Sequence, residues 1–159
     1  MIRGEVRPTD RDAVREIVTA TGKFRPNEVA VAVELVDERL TRGEGSGYLF
    51  RFLEENGQTL GYACFGRITV TLQCFDLYWI AVRPTAQGRR IGRRLMAAVE
   101  DAVREQGGRR IYIETSSRPD YADTRAFYER CGYVAEATLK DFYAPGDDKV
   151  IFVRDVAGG

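Results

Sequence analysis

Histidine is missing from all 159 residues of the chain. Its absence excludes Ser-His-Asp and Cys-His nucleophilic mechanisms and removes the usual ligand of transition-metal sites. Cysteine is scarce. Cys64, Cys74 and Cys131 are odd in number, widely spaced and without a CxxC pair, so neither a zinc site nor a disulfide framework is indicated. Each sits among apolar residues, where cysteine behaves as a small hydrophobe. Charge of one sign is also lacking: Lys+Arg and Asp+Glu both number 24, which argues against wholesale binding to nucleic acid or to an anionic membrane. No apolar run is long enough to span a bilayer, and the opening MIRGEVRPTDRD contains no signal-peptide core, so a cytoplasmic location is expected. What is present is 44% hydrophobic and 30% charged residues, the composition of an ordinary folded domain. A single domain over residues 1–159 is expected, burying roughly two-thirds of the unfolded chain's surface without a structural metal.

The hydrophobic pattern alternates between helix and strand periods. Ile2 to Arg7 reads as a strand closed by Pro8, and Thr9 with Asp12 as a capping box. Ala13, Val14, Ile17 and Val18 give one helical apolar face ending at Gly22, and a second helix starts near Pro26 with Val29, Val33, Val36 and Leu40 on one side. Tyr48 to Leu53, Asn56-Gly57 and Thr59 to Arg67 spell a hairpin, since Asn-Gly suits the positive φ of a type I′ turn. Thr71 to Val82 reads as a longer strand stopped by Pro84. Gly92 to Gln106 then reads as a helix ended by Gly107-Gly108, and Arg110 to Thr115 as a strand. A short helix near Thr124 to Arg130 precedes two last strands, Tyr133 to Leu139 and Lys149 to Arg154, joined through Ala144 to Asp148. That order predicts an α/β fold: a mixed, mostly antiparallel sheet of about seven strands flanked by about four helices.

Two stretches carry chemistry. Gln87-Gly88-Arg89-Arg90-Ile91-Gly92 follows an apolar strand and opens a helix. Unpaired amides at a helix start, a glycine that admits close approach and clustered arginines are what a pyrophosphate needs. Neither a P-loop nor a full GxGxxG is present. Taken alone, the stretch reads more readily as a turn with solvated arginines. The second is Phe127-Tyr128-Glu129-Arg130-Cys131-Gly132-Tyr133, an aromatic pair before a helix-ending glycine, which alone reads as readily as core packing with a C-cap as it does as a functional motif.

Together and in this order, the two stretches resemble the GCN5-related N-acetyltransferase (GNAT) superfamily over nearly the whole chain. Gln87 and Gly92 match its Gln/Arg-x-x-Gly-x-Gly/Ala signature, with Arg90 where the middle glycine is usual. Phe127, Tyr128, Gly132 and Tyr133 match its later aromatic motif. Tyr121 stands where many members carry an asparagine that helps hold pantetheine. The resemblance implies a sheet splayed between its fourth and fifth strands and an acetyl-CoA co-substrate, with no metal. The donor would be held by Ile80, Ala81, Val82, Gln87, Gly88, Arg89, Arg90, Ile91, Gly92, Arg93 and Tyr121.

The implied reaction is direct transfer of acetyl to the primary amine of a small-molecule or amino-acid-like acceptor. Tyr128 would serve as general acid to the departing CoA thiolate. An alkylammonium, with a reference pKa of ~10.4, must lose a proton before it attacks. Asp76 matches a catalytic carboxylate of some members, against the commoner state of a solvent-facing aspartate. Glu114, a charge within the apolar run Ile111-Tyr112-Ile113, is either a base acting through water or one half of a structural ion pair. Of the aromatics Tyr48, Tyr62, Trp79, Tyr121, Phe142 and Tyr143, candidates for an acceptor pocket, most read as packing; Tyr121 and Tyr143, with Ser116-Ser117, are the ones placed near the acceptor. Two other readings compete. One is a non-catalytic CoA-binding module. The other is a nucleic-acid contact through the arginines at 89, 90, 93, 94, 109 and 110, which the zero net charge disfavours. Members of the family commonly dimerise, and the terminal strands are able to pair across a homodimer; no membrane partner is implied.

Overall fold

The computed structural model describes residues 1–158. Its elements run β1 (Ile2–Arg3), α1 (Asp10–Ala20), α2 (Pro26–Arg42), β2 (Leu49–Glu55), β3 (Gln58–Arg67), β4 (Cys74–Val82), α3 (Ile91–Glu105), β5 (Arg110–Ser116), α4 (Ala122–Arg130), β6 (Val134–Ala144) and β7 (Asp147–Asp155). The strands form one seven-stranded sheet in the order β1-β2-β3-β4-β5-β7-β6. β4 and β5 are parallel, and their registered pairs run from Cys74 with Arg110 to Leu77 with Ile113. β4 itself continues to Val82, so the paired stretch is shorter than either strand, as the implied splay requires. No helix among the described residues is long and apolar enough to cross a membrane.

The chain forms two compact units. One comprises Met1–Gly66 and Trp79–Asp101. Its hairpin turns at Asn56 (φ 52°) and Gly57 (φ 75°), the left-handed pair that an Asn-Gly turn supplies. α1 and α2 press Val14, Ile17, Val18, Val33 and Val36 onto Phe50, Phe52, Tyr62 and Cys64. A second cluster gathers Leu53, Leu60, Ala86, Ile91 and Leu95. The expected capping box does not form: Thr9 is already helical (φ −66°, ψ −16°) and its side chain makes no cap bond. Asp10 takes over instead, accepting the Arg7 N–H at 2.7 Å and both terminal nitrogens of Arg3 at 2.9 Å. Arg3 also reaches half-buried Glu54 at 2.5 Å, so an ion triad built on buried Arg3 and Asp10, not a hydroxyl, fixes the start of α1.

The other unit comprises Arg67–Tyr78 and the chain from Ala102 onward. Strand alternation sends Phe75, Ile111, Ile113 and Phe152 into its core with Val103, Tyr128, Tyr133 and Val156. β4 starts later than its apolar pattern suggests, because Thr71 to Gln73 form a turn with Gln73 at φ 58°. The last hairpin is tighter than expected: Ala144 pairs directly with Asp147 across Pro145-Gly146. β6 is exposed along all of its length except Ala144.

Candidate active site

Within the first unit, the candidate donor residues other than Tyr121 line up along the end of β4 and the start of α3. Ala81 is buried, and Ile80 and Val82 are half-buried. The Arg83 N–H donates to the Leu60 carbonyl at 2.8 Å and its Nε donates to the Thr59 carbonyl at 2.7 Å, tying this end of β4 to β3. Gly61 makes the fit tight. A Cβ there would lie 2.9 Å from the Ala81 carbonyl oxygen, 3.1 Å from Leu95 and 3.3 Å from Ile91.

After a 3-10 turn at Pro84–Ala86, Gln87 is extended (φ −66°, ψ 154°), and Gly88 (φ 82°) and Arg90 (φ 60°) turn the chain into α3. Arg90 therefore holds the left-handed backbone that a glycine adopts freely, at a strain of ~1–2 kcal/mol. The first helical bond runs from the Arg94 N–H to the Arg90 carbonyl at 3.0 Å. The amides of Ile91 and Gly92 lie ahead of it, with no helical carbonyl four residues back, at the positive end of the helix dipole. Arg89 is paired with Glu55 at 2.6 Å, while Arg90 and Arg93 are exposed.

Within the second unit, the register groups the two carboxylates. Asp76 lies opposite Tyr112, and Glu114 is two residues further along the same face of β5. β7 sets Ile151 opposite Glu114 and Lys149 opposite Ser116, so Lys149 is the diagonal neighbour of Glu114. The Lys149 Nζ is 3.0 Å from Glu114 Oε2. It also lies 3.7 Å from the ring centre of Phe142 and 6.0 Å from that of Tyr143, whose rings meet edge to face at 5.1 Å. Burial pushes the Asp76 carboxyl up to about 6; Glu114 raises it further and Lys149 opposes the rise.

Tyr128 is buried in the last turn of α4, its ring 5.6 Å from Phe152, 5.7 Å from Phe127 and 6.5 Å from Tyr133. Burial holds its phenol proton well above the ordinary range, and the neighbouring Tyr121 phenol and Cys131 thiol add to the effect. Tyr121 ends the 3-10 turn before α4, with the Arg118 guanidinium 5.0 Å from its ring centre.

Other expected pocket residues have different work. Tyr62 is fully buried in the core of the first unit, and Tyr48 and Trp79 pack against that core. Ser116 and Ser117 act as structural pins. The Ser116 hydroxyl donates to Asp147 and accepts the Arg118 N–H at 3.0 Å, and the Ser117 hydroxyl accepts the Asp148 N–H at 2.8 Å. Lys149 was not singled out from the sequence. The available signal was a lone cation opening the apolar run Val150-Ile151-Phe152-Val153, the same kind of signal that pointed to Glu114.

Comparison with known proteins gives the family. The Acetyltransferase (GNAT) family matches residues 12–133, a stretch that runs through both units. The chain is 30% identical over 112 residues to the [ribosomal protein bS18]-alanine N-acetyltransferase of Escherichia coli (strain K12), covering 70% of this chain and 72% of that protein. A Desulfovibrio desulfuricans protein assigned to the GNAT family as an acetyltransferase superposes with a TM-score of 0.97 at 49% identity, covering 99% of both chains. An aminoglycoside 6′-N-acetyltransferase in complex with coenzyme A shares the fold at a TM-score of 0.78 and 16% identity, covering 100% of this chain and 98% of that one. The chain thus belongs to the acetyltransferase (GNAT) family, and it is an acetyltransferase acting on an amine.

Proposed function

We propose that this chain is a single N-acetyltransferase domain that moves acetyl from acetyl-CoA to the primary amine of a small-molecule or amino-acid-like acceptor by direct attack. The observation that carries this reading is the backbone from Gln87 to Gly92. The paired left-handed residues Gly88 and Arg90 deliver the chain into α3 with the Ile91 and Gly92 amides ahead of its first helical bond. Those amides, with Gly88, the left-handed turn at Arg90 and the cation Arg93, suit a pyrophosphate. The main chain at Ile80 to Val82, which lies beyond the last registered β4–β5 pair at Leu77, suits an extended pantetheine, as an added strand would.

Asp76 is the base in this reading. A carboxyl that titrates near 6 is mostly ionised at neutral pH and takes the ammonium proton, directly or through water. The neutral nitrogen attacks the thioester carbonyl, the new C–N bond forms, and the C–S bond breaks as the nitrogen releases its second proton to water. Tyr128, protonated throughout the neutral range, offers its O–H to the leaving sulfur. Glu114, being paired with Lys149, acts in support of Asp76.

The protein works in the cytoplasm, where its three buried cysteines stay as thiols. It pairs with a second copy along β6, whose exposed Val134, Leu139, Phe142 and Tyr143 leave an unusually apolar edge.

Thermal unfolding with acetyl-CoA, beside ATP and NAD, tests the donor. Ligand at ~100 times its dissociation constant adds ~2.7 kcal/mol. For a domain of this size the expected rise in midpoint is roughly 5–10 °C, with acetyl-CoA alone. No rise at millimolar acetyl-CoA overturns the donor assignment and leaves the fold standing.

A further inference from the structure

The face of the sheet carrying Asp76 and Glu114 holds, besides the Arg110–Asp155 pair that neutralises itself at 2.7 Å, two carboxylates and, in Lys149, one ammonium. Lys149 is not a loose surface lysine. Its side chain is 12% exposed, its Nζ is 3.0 Å from Glu114, and the Phe142 ring centre lies 3.7 Å away. A cation held by a carboxylate and an aromatic face together loses the freedom that makes most surface ion pairs weak. Glu114 is thereby matched with a partner on the neighbouring strand. Asp76 is not matched in the same way. Among the described residues, the charged groups acting on it are Glu114 from β5 and Lys149 from β7, and burial is the largest influence; the Tyr112 phenol stands opposite it in register, and Arg110, its diagonal neighbour on β5, is held by Asp155 at 2.7 Å. Two residues along its own strand stands Tyr78, an exposed aromatic on the same face.

We propose that Lys149 is a specificity-determining positioning residue: it occupies Glu114 from within and leaves Asp76 open to one cation, which restricts the acceptor to amines presenting a single ammonium at this face. The inference rests on the reading that this face receives the amine. With Lys149 in place, a monoamine brings the local charges to balance, two against two. A diamine adds a second positive charge beside Lys149 and is disfavoured. Without Lys149, Asp76 and Glu114 form a dicarboxylate that a diamine can bridge and a monoamine cannot fully neutralise.

The test follows the Asp76 carboxyl by 13C NMR in the full chain without acetyl-CoA, assigned by its loss in Asp76→Asn. Lys149→Met should move the Asp76 titration midpoint upward by ~0.5–1 pH unit, because the repulsion from Glu114 is no longer offset. Lys149→Arg keeps the charge and should hold it within ~0.3. Titrated at neutral pH, 1,5-diaminopentane should perturb Asp76 at roughly tenfold lower concentration in Lys149→Met than in wild type, while 1-aminopentane changes less than about threefold. An unmoved midpoint in Lys149→Met overturns the proposal. So does a parallel change for the two amines, since a merely structural lysine would weaken both alike. Should Lys149→Met fail to fold, Lys149→Gln carries the same test with a polar side chain. The acetyl-CoA melting response is measured on each folded variant. Amines that leave Asp76 unperturbed while that response persists sink the specificity inference alone. Absence of the response in wild type sinks the donor assignment instead.

Discussion

Between Ile80 and Arg93 the chain offers mostly its backbone: a strand end, two left-handed residues and the first amides of a helix. Asp76, Glu114, Lys149 and Phe142 are the opposite case, four side chains contributed by β4, β5, β7 and β6. The first region depends on main-chain shape, so substituting its exposed side chains should be tolerated better than altering its path. The second depends on charge balance, so isosteric loss of one charge should matter while the backbone stays as it is. The difference also teaches why one region resembles a sequence motif and the other does not. A backbone loop is local in sequence, whereas a charge cluster on a sheet exists only once the strands are in register.

The sharpest way to break this contrast is a single methyl group. In Gly61→Ala the new Cβ meets the Ala81 carbonyl at 2.9 Å, and that oxygen belongs to main chain that cannot rotate away. Overpacking of this kind should destabilise by roughly 1–3 kcal/mol, read by denaturant melts. Acetyl-CoA affinity should fall at least ~10-fold, since a shift of β4 misplaces an extended ligand's partners. A variant that melts and binds like wild type would show that main-chain closeness at Ala81 is unimportant.

A smaller effect, of distinctive form, is expected for Asp76→Asn. The folded protein raises the Asp76 carboxyl from the usual aspartate range to about 6, so it keeps a proton that the unfolded chain has released. Stability from this group is complete at pH below the unfolded value and declines as pH rises through about 6. After allowance for solvent screening the decline is roughly 1–2 kcal/mol. Asparagine should flatten the stability profile between pH 4 and pH 6, measured by urea midpoints across that range. A profile that still falls by the same amount assigns the effect to another group.

Arg90→Gly should have the least effect. It relieves ~1 kcal/mol or more of left-handed strain but gives the unfolded chain more freedom, so the net stability change should stay within about 1 kcal/mol. Because the loop already has a glycine-like path, acetyl-CoA affinity should stay within about threefold. A tenfold loss would mean that the Arg90 charge, and not the shape of the loop, holds the donor.

Much of the fold was legible because its signals are local. Asn56-Gly57 demands a particular turn, and Leu95, Met96, Val99 and Val103 mark one face of α3; all four are buried. The capping box misled because a stronger local competitor, Asp10, stands one residue beyond Thr9 and answers to Arg3, which Glu54 on a distant strand also holds. The site divided in the same way. Gln87 to Gly92 was readable as strand, glycine and helix in succession. Glu114 was noticed as a charge in an apolar run, yet its partner Lys149 lies 35 residues away and meets it only through the β5–β7 ladder. The aromatic residues Tyr62 and Trp79 were candidates for a pocket because composition cannot say which side of a strand faces the core.

The most direct test of a backbone-held donor and a charge-balanced acceptor face is to measure both functions in one variant, Asp76→Asn. Acetyl-CoA affinity is read by calorimetry, and turnover by free-thiol release with the amine that gives the highest wild-type rate. Donor affinity should stay within about threefold of wild type while turnover falls ~100-fold or more, the usual loss when a general base is removed. Turnover preserved, or donor affinity lost in parallel with it, would contradict the account.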